Sequence, residues 1–172
     1  MANNGKFLTI ETGRHKQELA INTSAGAGDA SKLLRTDSNG KLDLSFMPTG
    51  VGPDTKTLVA SEALAAGDFV NIWDDAGTPK ARKADASASG KEADGFVLSA
   101  VSNGANATVY MEGTNNQLSS LTGGARMYLS AATPGAATAT APSGAGNVVQ
   151  YLGKAISATE ITFEPDEGVI LA

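Results

Sequence analysis

The chain has 172 residues, no cysteine, a net charge of −5 and an aromatic content of only 5%. The lack of cysteine excludes disulfide bonds and thiolate metal sites, and the length fits one ordinary domain or a smaller domain with an arm. Up to Pro53 there are six Lys or Arg against five Asp or Glu, whereas the remainder has seven against thirteen. Because an acidic surface repels phosphate groups, we expect residues 54–172 not to bind nucleic acid.

The N-terminal sequence has no hydrophobic signal core, and no apolar run approaches the length of a membrane span. We therefore expect a protein that neither enters a secretory route nor contacts a membrane. Gly, Ala, Ser and Thr are abundant and large side chains are few, which leaves little material for the core of a stable monomer. This composition favours a homotrimer in which small residues are buried between copies.

Residues 1–56 are predicted to form an extended N-terminal arm. Residues 7–12 alternate as in a β-strand, and Glu18–Ile21 predict a second short strand after a polar turn that contains His15. A Gly/Ala/Ser tract at 24–31 indicates a flexible linker, and Asn39-Gly40 predicts a hairpin turn. The arm has many large apolar residues for a segment with so many turn formers, so we expect them to anchor it on its own body or on another chain. These anchor candidates are Phe7, Leu33, Leu34, Leu42, Leu44, Phe46 and Met47.

Residues 57–172 are predicted to form a compact all-β body, either a β-sandwich or barrel-like. Residues 66–113 and 123–168 follow the same order: a Gly-led strand, a Thr-Pro pair, an Ala/Thr-rich alternation and a Gly-initiated strand that leads to Glu112 or Glu164. This weak internal duplication predicts two related units, at 57–116 and 117–172. Large residues in the predicted strands are candidates for the body core or the trimer interface. They are Phe69, Trp73, Tyr110 and Phe163.

The sequence indicates no catalytic residue, no metal site and no cofactor, so we do not expect an enzyme. The only histidine is His15, which has no nucleophile or second ligand type beside it. Alternate oxygen-bearing residues between Asp37 and Asp43 resemble the start of a calcium loop, but Lys41 occupies a ligand position, and a turn explains the spacing better. The densest acidic group is expected to be solvated. It consists of Asp74, Asp75, Asp85, Glu92 and Asp94.

A glycan hydrolase that uses Asp74 with Glu92 or Asp94 is the rival interpretation from another class of protein. The carboxylates are present, but one Trp and three Tyr provide few aromatic platforms for sugar rings. We therefore favour a binding or structural role over hydrolysis.

Residues 123–165 carry landmarks that resemble the β module of structural proteins from tailed bacteriophages. The landmarks are Gly123 and Gly124, Thr133-Pro134-Gly135, Thr140-Ala141-Pro142, Leu152-Gly153 and Phe163-Glu164-Pro165. Residues 60–87 are similar to capsid decoration (cement) proteins, and residues 32–52 resemble a segment that precedes trimeric β bodies in phage head and fibre proteins. No long β-helical or coiled-coil shaft is present, which argues against a complete tail fibre.

The resemblance implies a virion protein made in the host cytoplasm and located on the outer surface of the capsid. Its expected partners are two further copies of itself and the major capsid protein, whose assembled head it stabilises without catalysis. The alternative is a head-fibre or tail-appendage protein that takes part in binding the host surface.

Overall fold

The computed structural model describes residues 6–47 and 52–172, and it divides the chain into two units, residues 1–52 and 53–172. In the first unit, β1 (Lys6–Glu11) and β2 (Arg14–Leu19) form an antiparallel hairpin. Thr12 and Gly13 both have positive φ angles, 52° and 77°, which suit a two-residue hairpin turn. The expectation of a polar turn around His15 is wrong, because this tight turn lets the second strand begin at Arg14.

Polar side chains organise the rest of the first unit. Where a flexible linker was expected, Ala27–Asp29 forms a single 3-10 turn, and the Asp29 carboxylate accepts a hydrogen bond from the Ala25 amide at 2.6 Å. The predicted hairpin at Asn39-Gly40 is a closed loop without flanking strands, because the Asp37 carboxylate accepts the amide hydrogens of Asn39 and Lys41. A second 3-10 turn spans Leu44–Phe46.

The second unit is all-β, as the sequence predicted, and begins with a closed five-stranded barrel. The order around the barrel is β3-β5-β4-β6-β7, and a parallel pairing of β3 with β5 closes it. The barrel strands are β3 (Thr55–Ala60), β4 (Phe69–Asp75), β5 (Thr78–Lys83), β6 (Gly95–Phe96) and β7 (Asn106–Tyr110).

An open five-stranded sheet follows, with the order β10-β9-β12-β13-β8, and a separate pair joins β11 to β14. The remaining strands are β8 (Gly113–Asn115), β9 (Arg126–Leu129), β10 (Ala137–Thr138), β11 (Val148–Val149), β12 (Tyr151–Ala155), β13 (Ile161–Phe163) and β14 (Val169–Ile170).

The barrel and the open sheet share one pairing scheme. The barrel order β5-β4-β6-β7-β3 corresponds strand for strand to β10-β9-β12-β13-β8. Backbone hydrogen bonds also correspond, since the Gly67 amide donates to the Val97 carbonyl at 2.8 Å and the Gly124 amide donates to the Ala155 carbonyl at 2.7 Å. In the second sheet, β8 and β10 correspond to β3 and β5, the strands that close the barrel. They lie at opposite edges and do not pair, so this sheet is open. The unit boundaries at 56 and 116 remain predictions.

Side chains on the outer surface of the barrel pack against the inner face of the open sheet. On β4, Val70 points into the barrel, whereas its neighbour Phe69 lies in a second core with Leu129, Leu152 and Phe163. Side chains alternate between the two faces of a strand, so those that point out of the barrel form a core with the inner face of the sheet. The two halves of the second unit therefore share this second core, and the barrel interior around Val70 forms a separate one.

Two glycines allow the central strands to approach closely. A Cβ at Gly95 would lie 2.6 Å from the Tyr110 carbonyl oxygen, and a Cβ at the corresponding Gly153 would overlap the Thr162 carbonyl oxygen. Gly153 also has a φ of 142° and follows a register shift between β12 and β9. Both positions require glycine for the same reason, which is contact with the backbone of the next strand.

We predict that Gly153→Ala lowers the free energy of unfolding by about 3 kcal/mol or more, because strain in φ adds to the backbone overlap. Gly123→Ala is the matched control, because its nearest neighbour to a new Cβ is the Ile156 carbonyl at 4.0 Å. That control is expected to stay within about 0.5 kcal/mol of the wild type in urea unfolding. Equal stability of the two variants would contradict the close approach.

Candidate attachment surface

The residues proposed for the body core or trimer interface lie in two environments. Phe69 and Phe163 are buried in the shared core, and Tyr110 packs on its margin with its ring stacked on Phe96 at 5.5 Å. Trp73 is half-buried on the barrel, where its indole nitrogen donates to the Ser61 hydroxyl at 3.1 Å. The Arg82 guanidinium lies 5.1 Å from the Trp73 ring centre, so one face of that ring is already occupied.

The anchor candidates of the arm differ in exposure. Leu33, Leu34, Leu42 and Met47 are exposed, between 38% and 52%, and Phe46 is half-buried. The backbone of Leu44 lies in the second 3-10 turn, but its side chain lies outside what the structure describes. Phe7 is half-buried on β1, where it pairs with Glu18. The structure thus gives most of these candidates a surface position, without showing what they contact on another chain.

The most exposed apolar face belongs to the β1–β2 hairpin and was missed by sequence reasoning. Leu8 is 70% exposed, Ile10 72% and Leu19 59%. The register pairs Ile10 with His15 and Lys6 with Leu19, so the three apolar side chains share one face, which we call the hairpin face. The alternation of residues 7–12 could have identified it, because Leu8 and Ile10 necessarily point away from the side of Phe7. His15 also lies on this face and is exposed.

The acidic residues of the second unit are distributed among local contacts. Asp74 accepts the Gly77 amide at the β4–β5 turn, Asp75 pairs with Lys80 at 2.5 Å, and Asp85 lies 3.6 Å from Lys91. Burial is the largest single effect on Asp85 and raises its pKa, but hydrogen bonds with Ser87 and the positive charge of Lys91 outweigh it, so the pKa of Asp85 is lowered overall. These carboxylates stabilise turns and strands rather than converging on one point.

Asp94 is the acidic residue that burial affects most. Its carboxylate accepts hydrogen bonds from the Ile72 amide at 2.7 Å and from the Asn71 side chain at 3.1 Å. Desolvation raises the pKa of Asp94 above its usual value, and the nearby charge of Glu92 raises it further. Asp94 therefore links the loop before β6 to β4 through hydrogen bonds, and burial disfavours its charged form.

We predict that Asp94→Asn gains stability relative to the wild type as the pH rises. A raised pKa in the folded chain means that the contribution of the protonated form is fully present below the unfolded pKa and is lost as the pH rises through the folded pKa. The amide oxygen can still accept the Ile72 amide, and it carries no charge. Urea unfolding at about pH 3 and about pH 7 measures the difference. A stability difference that is identical at the two pH values would contradict this account of Asp94.

Within residues 6–47 and 52–172, no group of three or more His, Cys, Asp or Glu is arranged to hold a metal ion. In the same described residues, no helix is long and apolar enough to cross a membrane. Comparison of the chain with protein-family models, with curated proteins and with solved structures gave no match. The functional argument therefore rests on the chain's own residues.

Proposed function

We propose that this chain is a non-enzymatic structural protein of a tailed-phage virion, which binds the outer surface of the capsid as a homotrimer and stabilises the head. The observation that carries the proposal is the contrast between the two units. Among the described residues, all buried apolar side chains lie in the second unit, whereas seven of the ten exposed large apolar side chains lie in the shorter first unit. Exposed apolar surface of this kind is typical of a segment that becomes covered on assembly.

The attachment surface would consist of the hairpin face together with the exposed leucines of residues 33–42. Each arm offers a small apolar surface, which alone supports only weak binding. Three arms on one trimer raise the effective concentration of the second and third contacts, so weak contacts add up to stable attachment. This arrangement fits a protein that must bridge neighbouring capsid subunits.

Host-surface binding by a head-fibre or tail-appendage protein remains the second candidate. Two half-buried tyrosines, Tyr128 and Tyr151, lie together on the second sheet with their ring centres 6.0 Å apart. Paired aromatic rings at a surface suit recognition of a ligand, so the body has a feature that capsid attachment does not use.

The attachment proposal predicts that Leu8→Asn combined with Ile10→Asn weakens binding to capsids of the encoding phage at least about tenfold, as expected for loss of apolar contact residues. Ile156→Asn is the matched control, because Ile156 is an apolar side chain of the second unit with 54% exposure. Co-sedimentation with intact capsids measures both variants. Equal binding of the double variant and the control would place attachment outside the hairpin face.

The same proposal predicts a trimer in solution, because the second unit has few large side chains and the first unit leaves its apolar residues uncovered. Multi-angle light scattering of the full chain at micromolar concentration should give three times the chain mass of 17.4 kDa. A mass equal to one chain would contradict the trimer. The capsid-binding measurement would then decide separately whether the monomer attaches.

A further inference from the structure

The outer face of the second sheet contains a cleft that capsid attachment does not explain. Its volume is about 350 Å³, and Arg126, Tyr128 and Tyr151 form its floor. The lower limit for typical ligand pockets is roughly 300 Å³, so a ligand of one or two rings fits this space. The cleft is built entirely from residues of the second unit.

The strand register creates the floor. Tyr128 on β9 lies directly opposite Tyr151 on β12, and Arg126 is two residues from Tyr128 on the same face. The two tyrosine rings are inclined at 69°, so they form a corner rather than a flat stack. The Arg126 guanidinium carbon lies 6.0 Å from the Tyr151 ring centre at the edge of this corner.

Asp166 and Glu167 also line the cleft, beside the two tyrosines. The backbone of Asp166 is fixed at both ends, since its amide donates to the Tyr151 carbonyl at 3.1 Å and its carbonyl accepts from the buried Gln150 side chain at 3.3 Å. The backbone at Gly168 also passes close to β11, because a Cβ there would lie 2.5 Å from a Val148 methyl group. Backbone contacts therefore hold Asp166 at the cleft without using its carboxylate oxygen atoms.

The polar groups of the cleft are available to a ligand. Among the described residues, no hydrogen bond or ion pair uses the Arg126 guanidinium, the carboxylates of Asp166 and Glu167, or the hydroxyl groups of Tyr128 and Tyr151. Arginine provides only donors and a carboxylate provides only acceptors, while a phenol provides both. The cleft thus offers both donors and acceptors around an aromatic corner.

We infer that this cleft binds a neutral saccharide, either a single hexopyranose or the end of a short glycan. A pyranose ring has an apolar face of C–H groups, which packs on an aromatic ring, and a rim of hydroxyl groups that both donate and accept hydrogen bonds. Two carboxylates beside one guanidinium disfavour an anionic ligand. An extended peptide is disfavoured because β9 is paired with both β10 and β12 and has no free backbone edge.

The inference goes beyond capsid attachment and does not depend on it. It also revises the argument that aromatic platforms are too scarce for sugars, because two of the three tyrosines of the chain meet in one cleft. Val149 and Val169 complete its apolar end through the pairing of β11 with β14.

Saturation-transfer NMR on the full chain tests the inference with methyl glycosides of glucose, galactose and N-acetylglucosamine, each at about 20 mM, a concentration suited to millimolar affinities. We expect saturation transfer to at least one glycoside. Arg126→Ala and Asp166→Asn should each reduce affinity at least about tenfold, because the first removes hydrogen-bond donors and the second replaces charge-assisted acceptors with a weaker amide oxygen. Both side chains are exposed, so the variants are expected to fold.

Lys154→Ala is the matched control, because Lys154 is an exposed cation that pairs with Arg126 in register but does not line the cleft. It should bind as the wild type does. Absence of transfer to all three glycosides, or equal transfer to the wild type, Arg126→Ala and Asp166→Asn, would overturn the inference. Tyrosine ring shifts that respond to protein concentration but not to glycoside would likewise overturn it and identify the cleft as a contact between copies.

Discussion

The second unit depends on a cluster of aromatic rings at the surface where the barrel meets the open sheet. The ring centre of Phe163 lies 5.6 Å from those of both Phe69 and Phe96, and Tyr110 stacks on Phe96. Each such pair contributes about 0.5–1.5 kcal/mol beyond the burial of its area. Without the sheet, Phe69 and Phe96 would be exposed on the outside of the barrel. Without the barrel, the apolar inner face of the sheet would be exposed to solvent. The barrel has an interior core of its own around Val70, but the core between the barrel and the sheet forms only when the two halves pack together.

The duplicated topology places different side chains at corresponding positions of the two copies. The pairings Phe69 with Phe96 in the barrel and Arg126 with Lys154 in the sheet occupy corresponding positions. Two apolar rings on the first copy pack against the second copy, whereas the two cations at the corresponding positions of the second copy are exposed. The cleft next to Tyr151 lies on this exposed face of the second sheet.

Local sequence patterns predicted the all-β class and the repeat, because alternation, glycines and Thr-Pro pairs depend on neighbouring residues. They did not predict the hairpin turn at Thr12 and Gly13, since threonine rarely adopts a positive φ. The parallel closure of the barrel by β3 and β5 and the meeting of Tyr128 with Tyr151 depend on strand pairing between distant residues. The exposed hairpin face was readable from alternation, but the prediction instead selected Phe7 on the opposite face of β1 and the large apolar residues between Leu33 and Met47.

Native-state hydrogen exchange of the full chain tests most directly whether the barrel and the sheet form one cooperative unit. The Ala60 amide, bonded to Ala105 within the barrel, and the Leu129 amide, bonded to Gln150 within the sheet, are suitable reporters. We expect both to exchange only through global unfolding, with the same free energy and the same dependence on urea. A lower free energy and a weaker urea dependence for Leu129 would show that the sheet opens while the barrel stays folded, which would contradict the shared core.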